Sequence, residues 1–183
     1  MNRSLKTLFG INGIFVFALS LFGPLYAAYV GFLNNGVLAV SLSYSVMLAT
    51  TTIATLGVAN WGDRVKKKEW LLAIGFLLRS LAWFGLALTS HYWQLITMLV
   101  IIGLGEALGT PAFEAIFADH LIKRVEIKEF SLWKLSSNIL SVLGTLIGGL
   151  IVLKFGFQTL FLLMSILALG CFVATVTLPK RLL

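Results

Sequence analysis

The chain has 183 residues, of which 59% are hydrophobic and only 11% charged, and its mean hydropathy is +0.99. Soluble domains carry about 25% charged residues, so this chain lacks the polar groups to face water on all sides and needs lipid as its solvent. The net charge of +7 sits in short loops with no folded basic module beside it, which excludes a nucleic-acid reader.

Six apolar segments fill the sequence, each near the 20 residues or so that an α-helix needs to cross a hydrocarbon core. The first, Leu8–Leu33, is too long for a signal-peptide core, and Tyr26-Ala27-Ala28 is a poor cleavage site. It carries Asn12 and Tyr26 on one helical stripe, with Phe15 and Phe22 nearby, and Gly23-Pro24 in its final third. The second, Val37–Asn60, repeats small residues every four positions at Ser41, Ser45, Ala49 and Gly57, interrupted by Ile53. The third, Trp70–Thr89, contains Arg79. The fourth, Tyr92–Ala118, contains Glu106, Thr110 and Glu114 at four-residue steps, with Gly109-Thr110-Pro111 in its final third. The fifth, Leu132–Leu153, sets Ser137, Ser141, Thr145 and Gly149 four apart, with Gly144 and Gly148 beside them. The sixth, Phe157–Leu178, holds Cys171, the single cysteine, so no disulfide framework or metal site is expected.

Strict alternation across six crossings puts Arg3, Lys6, Arg64, Lys66, Lys67, Lys68, Lys123, Arg124, Lys128, Lys134, Lys180 and Arg181 on one side and Lys154 alone on the other. Basic loops stay cytoplasmic, so both termini are expected inside a plasma (cytoplasmic) membrane, the positive charge serving topology and contact with anionic lipid. No phosphate loop, nucleophile elbow or HExxH occurs, and an enzyme is not expected.

The midpoint falls at His91–Tyr92, dividing the chain into repeats of about 1–91 and 92–183 with opposite orientation. The leading segment of each carries a Gly/Pro interruption, at Pro24 and Pro111, and such pairs in inverted repeats point to a transport site. Isolated kinks are the plainer explanation.

The loop Gly57-Val58-Ala59-Asn60-Trp61-Gly62-Asp63-Arg64-Val65-Lys66-Lys67-Lys68 resembles the signature of the major facilitator superfamily, with Ala59 and Lys66 in place of its glycines. Gly103-Leu104-Gly105-Glu106-Ala107 before Pro111, and Gly144-Thr145-Leu146-Ile147-Gly148-Gly149 before Phe155-Gly156-Phe157, extend the resemblance over the chain. It matches the N-terminal six-helix half of that fold. An arginine common in proton-coupled exporters of the family is Leu99 here. The fold class implied is an all-α membrane protein, six transmembrane helices as two inverted three-helix repeats, half of a facilitator-type fold.

What the resemblance implies is transport of a small solute by alternating access. The second six-helix half would be a second copy, a separate chain or a further segment, protons are a candidate coupling ion, and no cofactor is expected. A non-transporting scaffold is the alternative. Asn12, Tyr26, Glu106, Thr110 and Glu114 are the candidate cavity residues. Arg79 and Glu106, at similar depth, form either a structural salt bridge or an exchange site. The resemblance gives Asp63, Arg64, Lys67 and Asp119 gating roles, with Lys67 pairing to Asp119. It also assigns Ser41, Ser45, Ala49, Ser137, Ser141, Gly144, Thr145, Gly148 and Gly149 to the contact between halves, where small faces let backbones approach. Helix packing inside one bundle is the competing use of the same residues.

Overall fold

The computed structural model describes residues 3–33, 36–65, 67–121 and 125–178, apart from the side chains of Arg3, Ser4 and Asp63. The Asp63 side chain and the loop residues Asn34, Asn35, Lys66, Lys123, Arg124, Lys180 and Arg181 therefore lie outside the described residues. The elements are α1 (Arg3–Ser20), a 3-10 turn (Gly23–Leu25), α2 (Tyr26–Leu33), α3 (Val37–Trp61), a second 3-10 turn (Gly62–Arg64), α4 (Lys68–Ala87), α5 (Tyr92–Asp119) and α6 (Glu126–Thr177). All described regular structure is helical, as a chain without water to satisfy its backbone requires.

Five stretches are long and apolar enough to cross a membrane: Leu5–Leu33, Val37–Trp61, Lys68–Ala87, Tyr92–Asp119 and Glu126–Thr177. The difference from the six expected lies in α6, where the fifth and sixth segments run together. This 52-residue helix would measure about 78 Å if straight. It is not straight, because Gly156 adopts φ 79°, ψ 174°, outside any helical conformation. Contacts on the two sides of Gly156 run in opposite directions along α1. Before it, Leu140 lies at Gly13, and the Ser20 hydroxyl donates to Ser141 Oγ at 3.0 Å, while Gly148 meets Leu21. After it, Phe161 packs on Phe22 with ring centroids 4.8 Å apart, and Cys171 Sγ donates to the Ile11 carbonyl at 3.4 Å. The chain direction thus reverses at Gly156.

Only glycine occupies this backbone region readily. A Cβ there would meet nothing within 4 Å, so the constraint is conformational rather than steric. Gly156→Ala is expected to cost about 1–3 kcal/mol and to lower the thermal unfolding temperature in detergent. An unchanged melting curve would show that the break does not depend on this glycine.

The two prolines act differently, although the sequence pairs them. Pro24 follows the end of α1 and starts a 3-10 turn, so the first span is interrupted. Pro111 lies inside α5, which continues as helix to Asp119. Proline there forgoes one helix hydrogen bond without ending the helix.

Two parallel helix pairs organise the bundle, each closed by glycine. On α5, Gly103 is so near α3 that a Cβ would lie 2.9 Å from the Met47 carbonyl oxygen. On α6, methyls at Gly144 and Gly148 would lie 2.7 and 2.0 Å from the carbonyl oxygens of Phe17 on α1 and of Leu21 just after it. Between these pairs, Ser80 and Ser165 bond reciprocally: each hydroxyl donates to the other's carbonyl at 2.9 Å.

This packing corrects one expectation. Ser141, Gly144, Thr145 and Gly148 are used inside the bundle, against α1, and are not free for a contact between halves. The small-residue stripe does bring backbones together, but its partner is in the same chain. Ser41, Ser45 and Ala49 on α3 remain exposed, and Ser137 and Gly149 are half-buried.

Candidate functional site

A cavity of about 480 Å³ opens between α1, the Gly23 turn, α3, α4 and α5. Its walls include Phe22, Tyr26, Tyr44, Thr51, Trp83 and Glu106. The first span breaks beside it, at Gly23-Pro24, and Tyr26 after the break meets Ser43 and Tyr44 of α3. Tyr26 stacks edge-on against Phe22 and Tyr44 at 5.8 and 5.9 Å.

Glu106 connects the cavity to a buried charge. Arg79 on α4 is 3% exposed, while the Glu106 side chain keeps 40% exposure. Arg79 Nη2 donates to Glu106 Oε2 and, at 3.2 Å, to Thr110 Oγ1. Thr110 donates its own hydroxyl hydrogen to Glu106 Oε1 at 2.7 Å, closing a three-residue network. The Phe15 ring covers the guanidinium at 4.6 Å, a cation–π contact that replaces water. Space for the arginine comes from Gly105 and Gly109, whose built Cβ atoms would lie 2.9 Å from Arg79 Cγ and 3.3 Å from Arg79 Nη1. Gly75 permits the same close crossing, since a Cβ on it would sit 2.6 Å from Gly109 Cα.

Two hydroxyls on the wall, those of Tyr26 and Thr51, are committed. Ser43 donates to the Ala39 carbonyl at 2.7 Å, so in its contact with Tyr26 the tyrosine is the donor. Thr51 donates to the Met47 carbonyl at 3.0 Å. On the wall itself, Tyr26 and Thr51 therefore offer lone pairs, as does the Glu106 carboxylate.

Of the five residues expected in a cavity, Tyr26 and Glu106 line this one and Thr110 joins through Glu106. Asn12 is buried at 8% exposure but is not on the wall, and Glu114 is exposed on another side of α5. A drift of about 100° per residue carries position 114 some 80° away from 106 over two turns. Tyr44, Thr51 and Trp83 were not singled out from the sequence. The seven-residue step from Tyr44 to Thr51 on α3 is the signal that could have found the first two. Leu99, the position of the exporter arginine, is part of the same wall.

At the other end of α4 and α5, Lys68 Nζ pairs with Asp119 Oδ2 at 2.8 Å. This corrects the expected Lys67–Asp119 pair. Lys67 is the non-helical residue before α4 and points to solvent, whereas Lys68 is the first helical residue and reaches α5. Arg64 is exposed in the 3-10 turn. Side chains this exposed contribute about 0–1 kcal/mol through such a pair.

Comparison with known proteins places the chain. Residues 8–182 match the family model described as Major Facilitator Superfamily. A probable folate-biopterin transporter 7 of Arabidopsis thaliana is 30% identical over 120 residues, covering 60% of this chain and 27% of the plant protein. The chain thus spans about a quarter of the length of that curated relative. With apolar helices throughout and this match along nearly its whole length, the chain is an integral membrane protein that belongs to the major facilitator superfamily.

Proposed function

We propose that this chain is a six-span bundle of two inverted three-helix repeats and acts as one half of a transporter that moves a small solute by alternating access. The observation that carries the reading is the cavity with the Glu106 carboxylate on its wall, set in mid-helix beside the interrupted first span. Broken helices at a repeat interface are where such sites lie. The reversal at Gly156 supports the six-span count, since each part of α6 is then long enough to cross once. The repeat reading draws support from the reciprocal Ser80–Ser165 bonds, which have the form of a contact on a two-fold axis, and from the two parallel pairs, α3 with α5 and α1 with the first part of α6. The plant relative is named as a transporter, in agreement with this reading.

The second half is a second copy, another chain or a further segment. Its seat in this proposal is the exposed face of α3 at Ser41, Ser45 and Ala49, together with the exposed apolar side chains Leu135, Ile139, Val142 and Leu146 of α6. Both faces are poor in charge, as a membrane-embedded contact requires.

Solute counterflow in proteoliposomes tests the proposal. Vesicles containing the chain are expected to accumulate at least one labelled solute saturably and to exchange it for unlabelled solute. Leak equal to that of empty vesicles for every class of solute, from chains shown to be assembled with a second half, would favour the scaffold alternative.

A further inference from the structure

We infer that the cavity binds an organic cation with an aromatic or other apolar body, a substrate class that deepens the transport reading and rests on it. Three features of the wall lead to this. The first is charge. Among the described residues, no lysine, arginine or histidine is on the wall, and Glu106 is its one carboxylic acid. Arg79 neutralises that acid from behind, but the pair is oriented. The guanidinium is 3% exposed and covered by Phe15, while the carboxylate side chain is 40% exposed toward the cavity. A ligand in the cavity thus meets the negative end of the ion-pair dipole, and in a low-dielectric site that end acts strongly.

The second is hydrogen bonding. Tyr26 and Thr51 have their hydroxyl hydrogens committed to Ser43 and Met47, so they present acceptors, as Glu106 does. The Tyr44 hydroxyl and the Trp83 indole N–H are neutral donors on the same wall, so discrimination against an anion rests on charge. The third is shape and surface. Tyr26 and Tyr44 are the accessible aromatic rings of the wall, backed by the buried Phe22 and Trp83, and a cation over such rings in a desolvated site is stabilised by the ring quadrupoles. The volume, about 480 Å³, lies in the usual range for drug-sized ligands.

The test is equilibrium binding to the full chain in lipid nanodiscs, which needs no flux and no second half. Tetraphenylphosphonium and tetraphenylborate have nearly the same shape and opposite charge, and they are read by quenching of tryptophan fluorescence and by calorimetry. Saturable binding of the phosphonium, at least about tenfold tighter than any binding of the borate, is expected. Glu106→Gln should weaken phosphonium binding by about tenfold or more. Because that variant leaves Arg79 unpaired, Tyr44→Leu is the second probe: it is on the wall, half-exposed and outside the ion pair. It should weaken binding about threefold or more, through loss of one cation–π face. Binding of the borate or of folate, which carries two carboxylates, in preference to the phosphonium would overturn the inference. So would phosphonium binding unchanged in both variants. Counterflow of an anionic or neutral solute without phosphonium binding would overturn this inference alone and leave the transport reading standing. Phosphonium binding with no counterflow of any solute would do the reverse.

Discussion

Glu106→Leu is expected to destabilise the bundle by about 3 kcal/mol, and Arg79→Met added to it is expected to restore most of that loss. Arg79 is 3% exposed, and Glu106 and Thr110 are the partners found for its guanidinium among the described residues. Removing the acid leaves a buried positive charge unmatched, which costs about 3–5 kcal/mol for a well-buried pair. The lower end applies because the Glu106 side chain is 40% exposed, so water entering the cavity can partly replace it. Replacing both partners removes the unmatched charge, and apolar side chains of similar size fill the space. Thermal unfolding in detergent reads both variants, and the interaction energy from the cycle isolates the pair. A double variant as unstable as Glu106→Leu would show that the cost is packing and not charge. The restored double variant also separates folding from function. It should fold, yet bind organic cations no better than Glu106→Gln.

The second large effect is at the glycine crossings. Gly148→Ala would put a methyl 2.0 Å from the Leu21 carbonyl oxygen, and Gly75→Ala would put one 2.6 Å from Gly109 Cα. Both obstacles are backbone, which cannot swing aside as a side chain can. Each substitution must push two helices apart, at a cost of about 3 kcal/mol, the upper end for overpacking a core. Gly170→Ala, where a Cβ meets nothing within 4 Å, is the matched control and should leave stability unchanged. Equal melting temperatures for Gly148→Ala and Gly170→Ala would refute the close approach of α1 and α6. If the Gly148 effect is confined to the bundle, it should also be independent of protein concentration, unlike a contact between copies.

The helices were readable from hydropathy because lipid leaves the backbone no other solution. The second, third and fourth segments end within two residues of α3, α4 and α5, whereas α1 and α6 begin five and six residues before the first and fifth segments. Between Leu153 and Phe157, α6 carries no helix end. The Arg79–Glu106 pairing was readable as an alternative because two opposite charges at one depth in lipid seek each other. What the sequence hid was facing. Ser141, Gly144 and Gly148 form a small stripe that fits a neighbour in the same bundle as well as one in another, and only the contact with Phe17, Ser20 and Leu21 decides. Glu114 looked like a continuation of the Glu106 face, but the drift of an α-helix carries it out to the surface. Asp119 found Lys68 and not Lys67 because one residue separates the loop from the first turn of α4, which periodicity does not locate to that accuracy. Tyr44 and Trp83 are ordinary membrane aromatics in sequence. They become a wall only where Tyr26, after the Gly23-Pro24 break, meets Ser43 and Tyr44 of α3.

The inverted six-span arrangement is the claim on which the site and its proposed role depend, and single-cysteine labelling tests it most directly. In a Cys171→Ser background, cysteines replace Lys67, Lys128 and Lys154 one at a time, and intact cells are treated with a membrane-impermeant maleimide. If α6 reverses at Gly156 and crosses twice, the cysteine at 154 is labelled from outside, while those at 67 and 128 react only after the cells are opened. Labelling at 67 or 128 from outside, or a cysteine at 154 that reacts only in opened cells, would contradict the six-span bundle.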